Sequence, residues 1–349
     1  MKIVFKLILL LLPTLGYCKG NEGDFIKEKT ISKTYLTNSN SKIKVDNSYG
    51  NINVYLWNED KIAIQVTIKV SGTNENKVEK RLADIDVDFT ATAGIVNAET
   101  EIAGTSWNNS GNLSYEINYI IKIPKNGTID LTNKYGNIAV EQLYGSATID
   151  LQYGNLNLGR FENKVNNFDL SYCNNSKIEF IDQFTLSSNY CDIAIEKSYG
   201  ANLSGNYNTF RFQHIGNVNF DGNYTKIKSF TIQNLNCNGN YLTLNMGDVT
   251  ATKISSNYSS IEMNGTNKTK NITIKCNYSK TKINCSSDFG FDFEINTNYG
   301  SLNENLNLRY TEKSEKTTSK MYKGNAGGAG ISKIKVASNY GSVTLLQKL

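Results

Sequence analysis

The chain has 349 residues, of which 39% are hydrophobic, 20% are charged and only two are proline. The formal net charge is +5, but charges of both signs alternate along the chain without a basic stripe, which excludes a nucleic-acid-binding surface. Asparagine, serine, threonine, tyrosine and isoleucine abound, and this composition favours strands and turns over helices.

Residues 1–18 are typical of a secretory signal peptide. Lys2 and Lys6 are followed by the apolar run Leu7–Leu12 and then by small residues. We therefore predict that the mature protein is exported, to the periplasm, to the outer-membrane surface or out of the cell.

Cys18 raises the alternative of a lipid anchor. Tyr17 fits a bacterial lipobox poorly, because a small residue is wanted before the cysteine, so we expect cleavage after Cys18 or Gly20 instead. No later stretch approaches the roughly 18 apolar residues that a membrane helix needs. We therefore expect no transmembrane helix in the mature chain.

Residues 25–128 are predicted to form N-terminal strands and one capping helix. Ile43 and Val45 alternate with polar residues, the sequence SYG turns the chain, and Ile52 and Val54 alternate again. This pattern predicts a capping strand pair. Further strands are predicted at 61–70, 85–89, 95–99 and 115–123.

The helix is predicted in the sequence NENKVEKRLADI. Val78, Leu82 and Ile85 recur there at helical spacing, and charged residues fill most of the remaining positions. We expect this short amphipathic helix to cover the open end of a repeated stack of strands.

The repeat itself is marked by tyrosines in one recurring frame. An apolar residue stands four positions before each of them, and ten of the twelve have another three positions after. From Tyr135 to Tyr299 they follow one another at spacings of 17 to 21 residues, and a fixed period of this size indicates a stacked repeat. The twelve are Tyr49, Tyr135, Tyr153, Tyr172, Tyr190, Tyr207, Tyr224, Tyr241, Tyr258, Tyr278, Tyr299 and Tyr340.

The frame predicts an all-β fold, a right-handed parallel β-solenoid over residues 129–349 with about 17–21 residues per coil. Two short strands and two corners fit into each coil at about 3.3 Å per strand residue, and the hand follows the general rule for parallel crossovers. The tyrosines from Tyr135 to Tyr340 are expected to form a structural ladder of stacked rings.

An asparagine directly precedes the tyrosine in eight of the repeats. Asparagine tolerates the left-handed backbone of a tight corner, and stacked amides can hydrogen-bond along the axis. We therefore expect the asparagine to make the turn. The eight are Asn189, Asn206, Asn223, Asn240, Asn257, Asn277, Asn298 and Asn339.

Residues 309–333 interrupt the frame. The charged run Lys313–Lys323 is followed by the glycine-rich sequence GNAGGAG at 324–330. We predict a flexible loop insertion here, which serves either as a cap on the last strand edge or as a partner-binding loop.

Cys173 and Cys191 directly follow framed tyrosines in successive coils. If the coils stack in register, their Cα atoms lie about 4.8 Å apart, inside the roughly 4.4–6.8 Å range of a disulfide. A disulfide between them is one prediction from this spacing. A bulge expected in the sequence CNNSKI after Tyr172 argues against it, and the alternative is a pair of buried reduced thiols. Cys237 occupies an inward apolar position and is expected to stay reduced.

The residue content argues against a catalytic or metal site, and no cofactor is expected. His214 is the single histidine, so neither a histidine triad nor a multi-histidine metal site is complete. A ladder of carboxylates on one outer face, as in polysaccharide-cleaving β-helices, is the nearest approach to catalysis. Trp57 and Trp107 are interpreted as packing residues rather than sugar platforms. The carboxylates of the ladder are Asp130, Asp150, Asp169 and Asp192.

Residues 118–158, NYIIKIPKNGTIDLTNKYGNIAVEQLYGSATIDLQYGNLNL, carry a family resemblance. A strand ending in Ile-Pro-Lys and then strands broken by Tyr-Gly-Asn resemble the DUF4097 family of exported bacterial β-solenoids, Bacteroidetes-like proteins labelled putative adhesins. The resemblance extends over roughly 40–349 and implies a surface or periplasmic solenoid without catalytic residues. The chain departs from it by replacing the corner glycine with Cys173, Cys191, Asn208, Thr225, Leu242, Ser259 and Ser279.

Three functions remain open at this point. The first is a non-catalytic, adhesive solenoid whose partner is a glycan, a matrix or an envelope protein. The second is a carbohydrate-active enzyme, either a lyase or a glycosidase. The third is a periplasmic component of envelope-stress signalling, which rests on analogy alone.

Overall fold

The computed structural model describes residues 25–104, 113–327 and 332–348. Within them it contains 26 strands and one helix, which confirms the predicted all-β parallel solenoid. The chain divides into two compact units, Met1–Cys173 and Asn174–Leu349. The predicted signal peptide with Cys18, and Trp107, lie outside the described residues.

Unit 1, Met1–Cys173, holds twelve strands and the helix in its described part. The strands are β1 (Phe25–Leu36), β2 (Lys42–Ser48), β3 (Ile52–Trp57), β4 (Lys61–Gly72), β5 (Ile85–Ala91), β6 (Ile95–Ile102), β7 (Leu113–Pro124), β8 (Thr128–Lys134), β9 (Ile138–Leu143), β10 (Ala147–Gln152), β11 (Leu156–Phe161) and β12 (Asn166–Ser171), and the helix is α1 (Glu75–Asp84).

Unit 2, Asn174–Leu349, holds fourteen strands in its described part. They are β13 (Ser176–Asn189), β14 (Asp192–Asn206), β15 (Thr209–Asn223), β16 (Lys226–Asn240), β17 (Thr243–Asn257), β18 (Ser260–Gly265), β19 (Asn271–Asn277), β20 (Lys280–Cys285), β21 (Phe291–Asn298), β22 (Ser301–Glu304), β23 (Leu308–Glu315), β24 (Ser319–Ala326), β25 (Ser332–Asn339) and β26 (Ser342–Gln347).

In unit 1, strands β2 and β3 form a coil of the stack. Strand β2 pairs in parallel with β8 on one side and β6 on the other, and β3 lies likewise between β9 and β7. The predicted capping strand pair is therefore wrong. Tyr49 adopts the same left-handed corner as the later tyrosines, so the two strands continue around the coil instead of pairing with each other.

The cap of unit 1 is built from antiparallel strands and the helix. Strand β4 lies between β1 and β7, and β5 pairs with β6, all antiparallel. The predicted helix is confirmed as α1, which buries Val78, and the side chain of Asn74 accepts from the N–H of Lys77 as N-cap. Strand β1 was not predicted, because its residues are nearly all exposed or half-buried.

In unit 2, the coils of constant length have longer strands than expected. The tyrosines from Tyr190 to Tyr258 are spaced by 17 residues, and strands β14 to β17 each run for 15 residues. The expectation of two short strands per coil is wrong for these coils. Each of these strands bends once along its length. Because consecutive coils have equal length, the bends of neighbouring strands lie side by side, and the parallel pairing continues through them.

The last coil of the chain does not lie at the end of unit 2. Strand β25 pairs in parallel with both β19 and β21, so the coil of β25 and β26 sits between two coils that precede it in sequence.

The predicted loop insertion at 309–333 is instead largely a hairpin. Its strand β24 pairs antiparallel with β21, and β23 pairs with β24, so the hairpin covers that edge.

The core of unit 2 consists of inward apolar columns. The position four residues before each corner tyrosine is buried, and its occupants pair coil to coil. This column contains Leu186, Leu203, Phe220, Cys237, Ile254, Ile274, Val336 and Ile295. The apolar side chains of each coil are therefore buried against those of the neighbouring coils. A charged side chain introduced into this column would have no polar partner.

Replacing Ile254 by Asp is expected to unfold several coils. Ile254 is 1% exposed, and a buried unpaired carboxylate costs about several kcal/mol, so the melting temperature should fall by at least about 10 °C. Thermal melting followed by circular dichroism measures this. Ser255→Asp is the matched control, because Ser255 is the next residue and is exposed. Equal melting temperatures for the two variants would contradict the inward assignment.

Candidate functional site

The corner tyrosines form the most regular surface feature of each unit. They are 39% to 60% exposed, and every one has a left-handed backbone, with φ between 49° and 62°. In unit 1 the rings from Tyr49 to Tyr172 stack with centroids 4.8–5.1 Å apart. In unit 2 the rings from Tyr190 to Tyr340, with Tyr299 as the end ring, stack at 4.7–5.2 Å.

The tyrosine, and not the preceding asparagine, makes the left-handed turn. The expectation for the asparagines is wrong: none of the eight has a positive φ. Their side chains instead form an amide ladder in unit 2. From Asn223 to Asn298, each Nδ2 donates to the Oδ1 of a neighbouring coil at 2.6–3.2 Å, and Asn206 accepts the first of these bonds. The amides therefore fix each other, and all but the exposed Asn298 are half-buried.

Two arrangements of glycine accompany the same tyrosine corner. At three corners of unit 1 the residue after the tyrosine is glycine, and a Cβ on Gly136 would lie 1.8 Å from the carbonyl oxygen of Gly50. At three corners of unit 2 the close approach moves to two residues before the tyrosine, where a Cβ on Gly222 would lie 1.9 Å from the oxygen of Gly205. The left-handed corner is therefore kept where the glycine after the tyrosine is lost.

The side chains that replace this glycine point inward and are buried. Asn208 Nδ2 donates to the carbonyl oxygen of Ser188 at 2.8 Å, and its Oδ1 accepts from the N–H of Cys191 at 3.0 Å. Ser259 Oγ likewise accepts from the N–H of Leu242 at 2.9 Å. These side chains satisfy the corner backbone and do not reach the surface.

The stacked tyrosines offer ring edges rather than ring faces. Neighbouring rings are within 19° of parallel, so each interior ring covers the faces of its neighbours. At one end of the unit 1 stack, Tyr49 also meets the edge of Tyr115 at 5.0 Å. A sugar ring therefore cannot stack on the interior rings, and what remains for a partner is a row of edges and hydroxyls.

The predicted carboxylate ladder is shorter than expected and differently composed. Asp150 pairs with Asp169, and Thr132 joins them to Asp46 in the same column. Asp130 is paired with Thr148 instead, and Asp192 belongs to unit 2. Asp46 was missed by the sequence reasoning because its coil was interpreted as a cap.

The surroundings of Asp150 favour its protonated form. Burial raises the pKa of Asp150, and the negative charges of Asp169 and Asp46 raise it further. Asp150 is half-buried and Asp169 is exposed, on an outer strand face. Two neighbouring carboxyls with different environments are the minimum for acid and base roles.

The other candidate residues have structural contacts. His214 is exposed, and its Nδ1 lies 3.0 Å from Thr231 Oγ1. Trp57 donates its Nε1–H to the carbonyl oxygen of Lys61 at 2.8 Å, as expected of a packing residue. Among the residues that the structure describes, no three histidine, cysteine, aspartate or glutamate side chains are grouped to hold a metal ion.

The cysteines that were predicted to pair are both buried. Sγ of Cys173 lies 3.3 Å from the carbonyl oxygen of Leu151, and Sγ of Cys191 lies 3.2 Å from that of Asn189. They belong to different units, and the disulfide stays a prediction. Cys237 is a buried free thiol, and burial raises its pKa to about 12, which keeps it protonated.

Unit 2 also contains an open groove at the hairpin-covered end, which the sequence did not predict. Its volume is about 490 Å³. Tyr299 and Ser301 line it from the end coil, Thr318 and Lys320 from the hairpin, and Lys280 from a coil further in. These residues are dispersed in sequence, and strand pairing brings them together.

Comparisons with known proteins give no family and only distant structural likeness. No family model and no curated sequence matches the chain. A putative adhesin from Parabacteroides distasonis is 9% identical, with a TM-score of 0.33 over 92% of this chain and 97% of that one. A putative adhesin from Bacteroides fragilis is 11% identical, with a TM-score of 0.26 over 92% and 97%.

A further structure from Parabacteroides distasonis is a putative lipid binding protein. It is 10% identical, with a TM-score of 0.33 over 93% of this chain and 98% of that one. At such identities and TM-scores, none of these likenesses carries a functional assignment. In the ranges that the structure describes, no helix has the length and apolar character needed to span a bilayer.

Replacing Tyr224 by Ala is expected to destabilise the protein more than replacing it by Gly. Both changes remove a ring stacked on Tyr207 and Tyr241, but only Gly adopts the φ of 53° without strain. The difference should be about 1 kcal/mol in the free energy of unfolding, measured by urea titration.

Tyr199 provides the matched control for this comparison. It is 54% exposed and has no positive φ, so Tyr199→Ala should be at least as stable as Tyr199→Gly. The same order of stability at both positions would show that the left-handed backbone of Tyr224 does not decide the result.

Peptide mapping of the exported protein tests the disulfide between Cys173 and Cys191. The protein is denatured without reduction in the presence of an alkylating agent and then digested. A cross-linked peptide pair is expected, with Cys237 alkylated as the internal control. Full alkylation of both Cys173 and Cys191 would rule out the disulfide.

Proposed function

We propose that this protein is an exported, non-catalytic β-solenoid of the DUF4097 type, with an adhesive role on a repetitive surface partner such as a glycan or matrix. The observation that carries the proposal is the exposed tyrosine row, which repeats from coil to coil in each unit. A rigid row of identical groups suits a partner that repeats itself, because many weak contacts add up once the first is made.

The row is preorganised, which supports binding rather than a structural role alone. Each interior ring is held between two neighbours, and in unit 2 the adjacent amides are hydrogen-bonded to one another. Groups that are already ordered lose little conformational entropy on binding. The family resemblance of residues 118–158 supports the same role.

Export belongs to the proposal and rests on the sequence of residues 1–18. Fractionation of cells into cytoplasm, periplasm, outer membrane and medium separates the possible locations. Recovery of the uncleaved chain in the cytoplasm would contradict export.

An enzymatic role has one observation in its favour, the neighbouring carboxyls of Asp150 and Asp169. The raised pKa of Asp150 would suit a general acid with a second carboxyl on the neighbouring strand. The pair lies on an outer strand face, and Asp169 is exposed to solvent. Such exposure weakens the electrostatic stabilisation that a water-excluded site provides, so this role ranks second.

Cosedimentation with insoluble cell-envelope polysaccharide tests the adhesive role. The mature protein should bind saturably, and the triple variant Tyr207→Asn, Tyr224→Asn, Tyr241→Asn should bind about tenfold more weakly. Asparagine tolerates the left-handed corner, so the change removes rings while keeping the backbone. Phe230→Ser is the control, because Phe230 is 62% exposed but is not a corner residue.

Two outcomes would contradict the proposal. One is equal binding by the triple variant and the wild type, or no binding by either. The other is release of reducing or unsaturated sugar ends that is lost in Asp150→Asn, which would favour the enzyme.

A further inference from the structure

The groove of unit 2 lies where the hairpin ends and the coil continues. Strand β24 pairs with β21, which precedes the corner of Tyr299, whereas β22, which follows that corner, pairs with β26 on one side. The hairpin turn is fixed at the corner, because the N–H of Tyr299 donates to the carbonyl oxygen of Thr318 at 2.7 Å. The end of unit 2 therefore has an open step, where the hairpin covers β21 but not β22. The groove at this step has a volume of about 490 Å³, within the range of ligand sites.

Tyr299 presents an uncovered ring face at this step. One face stacks on Tyr340 at 4.9 Å, and among the described residues no second ring stacks on the other. That face points towards the hairpin turn, because β25 with Tyr340 lies on one side of β21 and β24 with Thr318 on the other. Tyr299 is accordingly 60% exposed, compared with 51% for Tyr278, whose faces are both covered.

The charge of the groove is positive. Lys280 and Lys320 line it, and none of its twelve lining residues is acidic. Lys280 is exposed and Lys320 is half-buried. The cross-strand partner of Lys320 is Glu315, but that carboxylate already accepts a hydrogen bond from Tyr322 Oη at 2.7 Å and lies 3.5 Å from Lys313.

Hydroxyl groups complete the lining. Ser342 lies directly beside Lys280 in one column, Ser301 is the next residue of that column, and both serines are half-buried. Thr317 and Thr318 face them from the hairpin turn and are exposed. The groove therefore combines one open aromatic face, two ammonium groups and several hydroxyls.

We propose that this groove binds an acidic sugar residue, with the sugar ring on the open face of Tyr299 and its carboxylate at Lys280 and Lys320. The apolar face of a sugar suits an aromatic ring, its hydroxyls suit Ser301, Ser342 and Thr317, and its carboxylate meets the positive charges of two lysines. This assignment rests on the proposed adhesive function and names the chemistry of its ligand.

An acidic peptide is the competing ligand, since β22 leaves a strand edge beside the groove. Strand β22 has only four residues, which is short for adding a peptide strand. The hydroxyl lining and the open ring face are better matched to a sugar ring.

Isothermal titration with tetragalacturonate tests the assignment on the mature protein. Wild-type protein should bind, and the fully methyl-esterified tetramer, which is neutral, should bind about tenfold more weakly. Tyr299→Asn should weaken binding about fivefold to tenfold, because the stacking face is lost. Lys280→Gln and Lys320→Gln should each weaken it about threefold, as for solvent-exposed ion pairs.

Matched controls come from other coils. Tyr199→Asn removes an exposed tyrosine that does not belong to the corner row. Lys226→Gln removes an exposed lysine at the same coil position as Lys280, two residues after a corner tyrosine. Both control variants should bind tetragalacturonate as the wild type does, and circular dichroism of all variants checks that they are folded.

Several outcomes would overturn the assignment: no binding of tetragalacturonate at millimolar concentration, equal binding of the ester, equal losses in the controls, or binding of hexaglutamate instead. The test is separate from that of the adhesive function. Envelope binding with no effect of these variants on tetragalacturonate would defeat the groove alone. Groove-dependent tetragalacturonate binding without any envelope binding would defeat the adhesive function alone.

Discussion

The backbone hydrogen bond of the corner tyrosine is the constraint on which each unit depends. In unit 2 the N–H of Tyr207 donates to the carbonyl oxygen of Asn223 in the next coil at 3.1 Å, and Tyr224 and Tyr241 repeat this at 3.0 and 2.9 Å. The bond persists where the strand pairing is interrupted, so the chain turns without leaving its N–H unsatisfied. The left-handed φ costs roughly 1 kcal/mol or more at each tyrosine, and ring stacking returns a comparable amount.

Both units solve the problem of a stack's open edge in the same way. In unit 1 the first coil, β2 and β3, is enclosed by β6 and β7, and in unit 2 the last coil, β25 and β26, is enclosed by β21 and β22. Antiparallel strands then cover both β6 and β7 in unit 1, and the hairpin covers β21 in unit 2. The first and last coils of the chain are thereby held on two sides, and exposed edges that would pair with other molecules are reduced.

The sequence predicted what is periodic and missed what depends on pairing order. The inward column through Phe220 and Ile254, the corner tyrosines and the helix at Val78 all follow from local spacing, and such patterns survive in a single sequence. The position of β25 between two earlier coils could not be predicted from local spacing. Its residues suit a coil that stacks on the preceding coil and a coil that inserts between two earlier coils equally well. The same limit hid the groove, whose lining from Lys280 to Ser342 converges only through that insertion.

A repeated stack has a consequence for where recognition of a single ligand can occur. The ring faces and side-chain amides of interior coils are already in contact with neighbouring coils. Each ring covers its neighbour, and each amide of the asparagine ladder in unit 2 is hydrogen-bonded to the next. Such a surface can meet a repetitive partner along its edges, but its interior rings offer no open face. An open ring face requires a place where the repeat stops. In the described part of unit 2 that place is the step at Tyr299, where the hairpin covers one strand of the end coil and leaves the other open. The hairpin that protects the strand edge therefore also creates the groove.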